Sequence, residues 1–176
     1  MKAALELLVS LIMRFEGCEL RAYPDPASPL SRALSARGLL AAYKRGQAAI
    51  PADLRDLSGA PWTCGWGETA GVTEGMVWTQ EYADSRLRAR AAEFLLGVYQ
   101  RAPMLYLEPS ERAAACGSLA YNIGLGAFNA STVKRKTNEA EWEAGAAAFL
   151  LWNKSGGRVM AGLTNRRKAE SATYLV

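Results

Sequence analysis

Apolar residues recur at Leu5, Leu8, Ile12 and Phe15, the i, i+3, i+7, i+10 spacing that gives a helix one apolar face. Gly17 is a natural stop for that helix and leaves Glu16 at its last turn. Residues 18–25 read as an extended segment that turns at Pro24. Ser28-Pro29 has the form of an N-cap with proline in the first turn, predicting a helix over 30–47 that Gly38 divides. A short helix over 51–57 is expected before Ser58-Gly59. The pattern changes over 62–77, where glycines at 65, 67, 71 and 75 alternate with aromatic and β-branched residues. That stretch predicts the one clear β region of the chain.

Helical periodicity returns after Thr79, which can cap a long helix over 80–98. An alanine-rich helix is expected over 110–121, and Gly124 with Gly126 predicts a tight turn. Helices over 138–152 and 163–174 flank a Gly156-Gly157 turn. The fold class is therefore α+β and mostly helical, with one small sheet. No βαβ alternation is present, which excludes a doubly wound nucleotide-binding fold. A length of 176 residues, half of them hydrophobic, makes one domain with enough core to fold without disulfides.

Composition narrows the chemistry. There is no histidine, which removes Ser-His and Cys-His nucleophile pairs and the usual histidine-bearing zinc sites. Acid–base work must fall to Asp, Glu, Lys, Tyr or Cys, and neither a metal nor an organic cofactor is expected. Cys18, Cys64 and Cys116 lack metal-ligand spacing and read as reduced thiols. A net charge of +4 favours an anionic partner. Basic residues are not interleaved with aromatics, so nucleic acid is not expected, which leaves a membrane surface or an acidic polymer such as bacterial cell wall. The apolar segment over 5–13 is short and interrupted by Glu6, and reads as a core helix rather than a signal peptide or membrane span.

Glu16 and Asp25 stand nine residues apart, and Thr63 lies on the glycine-rich stretch Trp62-Thr63-Cys64-Gly65-Trp66-Gly67. Two carboxyls and a hydroxyl are minimal equipment for cleaving a glycosidic bond, one carboxyl giving a proton to the leaving oxygen while the other groups order a water. Taken alone, Glu16 is equally a helix-end residue and Asp25 a turn residue. Phe15-Glu16-Gly17, Tyr23-Pro24-Asp25 and the Trp62–Gly67 run resemble the active-site region of phage-type lysozymes, the endolysins. Tyr121-Asn122-Ile123-Gly124, Gly126-Ala127-Phe128, Ser131-Thr132 and the stretch from Gly162 to Glu170 resemble that family's helical signatures.

The resemblance implies a two-lobed lysozyme-like fold with the substrate cleft between the lobes. It places an N-terminal lobe at about 16–78, and a helical lobe at about 79–176 together with the first helix. It implies hydrolysis of the β-1,4 bond between N-acetylmuramic acid and N-acetylglucosamine in peptidoglycan, with inversion, by a monomer without metal or cofactor. Glu16 becomes the general acid, Asp25 and Thr63 the groups holding water, and Tyr121, Asn122 and Ser131 substrate-binding residues. It also implies accumulation in the host cytoplasm and access to the wall through a holin-type membrane lesion. A lytic transglycosylase and an inactive wall-binding module on the same fold are the alternatives.

Two departures stand out. Residues 27–61 are inserted between Asp25 and Thr63 and carry Arg32, Arg37, Lys44, Arg45 and Arg55 against Asp53 and Asp56. A basic helical flap contacting the anionic wall is the expectation for this segment. Glu68 stands where the family has histidine, either within a replacement ion pair or as a third carboxylate of the site.

Overall fold

The computed structural model describes residues 1–176. In chain order the elements are α1 (Lys2–Phe15), β1 (Glu19–Pro24), α2 (Pro29–Ala36), α3 (Leu40–Lys44), β2 (Trp62–Gly65), α4 (Gln80–Arg101), α5 (Ser110–Ile123), α6 (Leu125–Asn129), α7 (Thr132–Asn138), α8 (Trp142–Phe149), β3 (Lys154–Ser155), β4 (Arg158–Val159) and α9 (Ala161–Tyr174). Single 3-10 turns lie at Ala52–Leu54 and Pro103–Leu107. The fold is α+β and mostly helical. It divides into two compact units, one of residues 1–15 with 88–176 and one of residues 16–87. No helix is long and apolar enough to cross a membrane.

The larger unit is built around α5. Its residues from Ala113 to Ala120 are all buried, and small side chains there let neighbouring helices approach closely. Gly117 marks the tightest point: a Cβ at that position would lie 2.8 Å from a methyl of Leu8 on α1. Ala4, Leu8 and Ile12 are the fully buried residues of α1, while Leu5 and Phe15 flank that stripe. The second face of α5 packs on α9. There Arg166, Arg167 and Glu170 are buried. Glu170 accepts from Ser118 Oγ at 2.6 Å and from Arg166 Nε at 3.0 Å. Arg167 Nε lies 2.9 Å from the second carboxylate oxygen, close enough to pair but poorly aligned as a hydrogen bond.

Three features of this unit differ from the sequence expectation. The helix expected over 138–152 is the shorter α8, and a separate helix, α7, ends at Asn138 before it, with Ala140 at φ 54° between the two. Gly124, at φ 86°, makes the predicted turn, but Gly126 lies inside the short α6. The Gly156-Gly157 turn closes a small hairpin, β3 against β4, because two adjacent glycines with positive φ satisfy a two-residue connection.

The smaller unit holds the antiparallel pair β1–β2. Only β2 lies within the β region expected over 62–77; its partner is the extended segment before Asp25. Two clusters cover the sheet. Ala22, Cys64 and Val72 form one, with Trp62 and Trp78 packed against it. The other is supplied by the insertion: Leu30, Leu34, Tyr43, Ile50 and Leu54, closed by Tyr23, Leu39, Leu40, Leu57 and Trp62. Ser28 caps α2 as expected, its Oγ accepting from Ser31 N at 3.1 Å, and Gly38 at φ 67° separates α2 from α3.

The insertion is thus a packed part of this unit, not a flap. Burying each large apolar side chain contributes roughly 1.5–3 kcal/mol as an upper bound. Two of its basic residues are engaged structurally, Arg37 with Asp53 at 2.5 Å and Lys44 with Glu19 at 3.1 Å.

Candidate active site

The register of β1 against β2 decides where the chemistry sits. Tyr23 pairs with Thr63 and Pro24 with Trp62, while a bulge separates these pairs from Glu19 and its partner Gly65. Residues directly opposite in an antiparallel pair present their side chains on one face, so Tyr23 and Thr63 are neighbours. Thr63 is 8% exposed and the Tyr23 ring is half-buried. The Lys44 ammonium stands 3.9 Å over that ring.

Asp25 follows β1 directly. Its backbone N–H donates to Gly59 O and Pro61 O, at 3.1 and 2.9 Å, and its carbonyl accepts from Ser28 N at 2.9 Å. Both ends of the insertion are therefore tied to this residue. One carboxylate oxygen accepts from Ala27 N at 2.7 Å, and the other makes no hydrogen bond within the chain. An anion held by one backbone donor, with its second oxygen available, is suited to orient a water.

Glu16 follows α1 immediately, in the bend before β1, and is partly buried. Tyr23 links the three candidates. Burial pushes its phenol up; the negative charges of Glu19, Glu16 and Asp25 push the same way, and a hydrogen bond with Thr63 opposes them. One phenol therefore senses both carboxylates from the position opposite Thr63. Tyr23 was visible in the sequence only as part of a turn motif. The signal that would have singled it out is cross-strand register, and a strand partner 40 positions away is not readable from periodicity.

The surrounding turn is fixed by specific contacts. Gly65 has φ 60°, and a Cβ there would lie 2.9 Å from the Trp78 ring, so conformation and packing both require glycine. Cys64 is buried with its thiol 3.4 Å from Leu20 O. The Trp66 indole N–H donates to Asp84 Oδ1 at 2.7 Å. Glu68 accepts from the backbone N–H groups of Thr69 and Ala70 through one oxygen and pairs with Arg86 at 3.3 Å through the other. That residue closes the turn and forms the replacement ion pair, so both its oxygens are committed to structure. All three cysteines are free thiols.

Tyr121, Asn122 and Ser131 belong to the larger unit. Tyr121 is partly buried with its ring 5.3 Å from Phe94, and Asn122 is exposed with its side-chain oxygen accepting from Arg167 at 3.2 Å. Ser131 is 5% exposed and caps α7. Its Oγ accepts from Lys134 N at 3.1 Å and donates to Phe128 O at 2.7 Å, so its hydroxyl proton is already used.

The chain is similar to known proteins in sequence and in fold. The family model for phage lysozyme matches residues 46–170. The endolysin of Bacillus phage PZA is 31% identical over 167 residues, covering 94% of this chain and 52% of that protein. The endolysin of Acyrthosiphon pisum secondary endosymbiont phage 1 is 37% identical over 119 residues, 64% of this chain and 79% of the other. The chain thus spans about half the length of the first of these relatives. Among solved structures, the muramidase domain of SpmX from Asticaccaulis excentricus superposes with a TM-score of 0.69 at 26% identity, covering 100% of this chain and 97% of that one. With a family model covering most of its length and a fold to match, this chain belongs to the phage lysozyme family of glycoside hydrolases.

Proposed function

We propose that the protein is an endolysin that hydrolyses the β-1,4 bond between N-acetylmuramic acid and N-acetylglucosamine in bacterial peptidoglycan. The observation that carries this reading is the β1–β2 register, which sets Tyr23 opposite Thr63 and brings Asp25, with one carboxylate oxygen open, directly after β1. The names of the similar endolysins and of the muramidase domain support the same reading. Glu16 donates its proton to the glycosidic oxygen as the bond to the anomeric carbon breaks. A water, oriented by Asp25 and the Thr63 hydroxyl, attacks that carbon from the opposite face and loses its proton to Asp25. Exchange with solvent then resets both carboxyls. The configuration at the anomeric carbon inverts.

Tyr121 and Asn122 are proposed to contact the sugars, with Arg167 orienting the Asn122 amide. Ser131 acts as the cap that starts α7. The protein is proposed to work as a monomer, accumulating in the host cytoplasm and reaching the wall through a membrane lesion made by another protein. On that reading, cells expressing it keep their turbidity until the membrane is permeabilised.

Wild type and Glu16→Gln are compared in a turbidity assay on permeabilised cells, with mass spectrometry of the digested wall. A loss of about 10²–10⁴-fold in rate is expected for the variant, with reducing-end muramic acid as the wild-type product. Products ending in 1,6-anhydro sugar would identify a lytic transglycosylase instead. Equal lysis by both proteins, or none by either at equal binding, would remove the catalytic assignment.

A further inference from the structure

A concave site lies within the smaller unit, where the insertion meets β1 and the loop at Glu74. It is a cavity of about 670 Å³ lined by Arg21, Tyr43, Gln47, Ile50, Arg55 and Glu74, among others. Its charges are not those of a solvated surface picked at random. Elsewhere on the insertion, Lys44 is matched by Glu19 and Arg37 by Asp53. Arg21 and Arg55 have no carboxylate at ion-pair distance. Both guanidiniums line the cavity beside one carboxylate, Glu74.

The backbone seats Arg21 in place. Gly46 has φ 70°, and a Cβ on it would lie 3.3 Å from both Nε and a terminal nitrogen of Arg21. At that φ a side chain on residue 46 would be strained, and its Cβ would press on the guanidinium. The phenol of buried Tyr43 senses Glu74 and Arg21 from opposite signs, so the acid and the base converge on one wall. The Gln47 amide oxygen is held by Arg45 Nε at 2.8 Å, which leaves its NH₂ group as a donor.

Two guanidiniums, one carboxylate and an amide donor in one cavity fit a ligand with two carboxylates and one ammonium. Guanidinium–carboxylate pairing supplies the geometry, and the single acid selects for the amine. Resting on the proposed muramidase reading, we infer that this cavity binds the peptide stem of peptidoglycan at a diamino-acid residue with a free amine. Arg21 is two residues before Tyr23 on β1, about 7 Å along the strand. A stem of four residues reaches about 14 Å when extended, enough to run from a glycan at Tyr23 and Thr63 into the cavity.

The test uses a sugar-free synthetic tetrapeptide stem containing a diamino acid, titrated into the protein and followed by NMR and calorimetry. Saturable binding to wild type is expected, weakened about threefold to tenfold by Arg55→Gln and by Arg21→Gln. Acetylating the free amine should weaken binding to wild type and leave Glu74→Gln indifferent. A second measurement compares KM on intact walls with KM on glycan strands stripped of peptide. Arg55→Gln should raise the first by a similar factor with kcat unchanged, and leave the second alone. Absence of saturable peptide binding, or equal effects of the substitutions on both substrates, would overturn the site. Because peptide binding needs no catalysis, failure of the muramidase reading shows separately, as wild-type protein that cleaves neither substrate.

Discussion

The two units treat charge in opposite ways. In the larger one, Arg166, Arg167 and Glu170 lie inside the helical core with Ser118, 0–4% exposed and engaged mainly with one another. In the smaller one, Glu16 and Asp25 are only partly buried, and Asp25 is held by a backbone N–H while one oxygen stays open. Removing a charge from water is costly and is offset only when partners satisfy it fully. The buried cluster pairs its charges with one another and with Ser118, and thereby fixes how α9 seats on α5. Asp25 keeps one carboxylate oxygen open, which suits a group proposed to hold a water. Charge paired inside the core supports the fold, and an oxygen left open is available to water.

Substitutions on each side give the largest test of that contrast. Asp25→Asn keeps an oxygen to accept from Ala27 N, so stability should change by less than about 0.5 kcal/mol. Its lytic rate should fall by about 10²–10⁴-fold. Glu170→Ala leaves two buried guanidiniums without their anion and should cost about 3–5 kcal/mol. That corresponds to a melting temperature lower by roughly 6–20 °C. Calorimetry and turbidity on the same two variants decide the matter. A destabilised Asp25→Asn with normal activity, or a Glu170→Ala that melts like wild type, would break the division.

A smaller effect sharpens the contrast through the thiols. Burial pushes the Cys116 thiol up to about 12, and Cys64 is raised by burial too. Cys18, beside Gln80, is partly exposed. One equivalent of a thiol reagent should therefore couple at pH 8 in the native state, at Cys18, with the other two reacting only on unfolding. Peptide mapping reads the outcome; rapid labelling of Cys116 would mean that the α5 core opens far more readily than its packing implies.

Much of this was legible in the sequence where information is local. The Ser28 cap, the break at Gly38 and the Thr79 cap all depend on neighbours within one turn. What escaped depends on pairing across distance. The insertion looked like a basic flap because its arginines are conspicuous, whereas Leu30, Leu34, Ile50 and Leu54 acquire a common core only once Tyr23 and Trp62 close it. Ser131 matched a family motif, yet its motif position is also an N-cap, and the structure shows that hydroxyl occupied. Tyr23 gained its significance from a register that no single segment encodes.

The smallest expected effect concerns charge that is neither buried nor chemical. Arg88 holds Glu6 through two hydrogen bonds, at 2.5 and 2.9 Å, with both side chains about half exposed. The hydrogen bond from Arg88 keeps the Glu6 carboxyl below its ordinary range, with a slight opposition from burial. A carboxyl depressed in the folded state adds stability above its unfolded pKa of about 4.3. That stability is lost as the pH falls through the folded value. Arg88→Ala should therefore lower the melting temperature slightly at pH 7, and less at 1 M salt, where exposed charges are screened. Below the folded pKa of Glu6 the two proteins should melt together. A difference that persisted in acid would assign the effect to lost packing of the arginine stem on α1, and would place Arg88 with the structural charges of the larger unit.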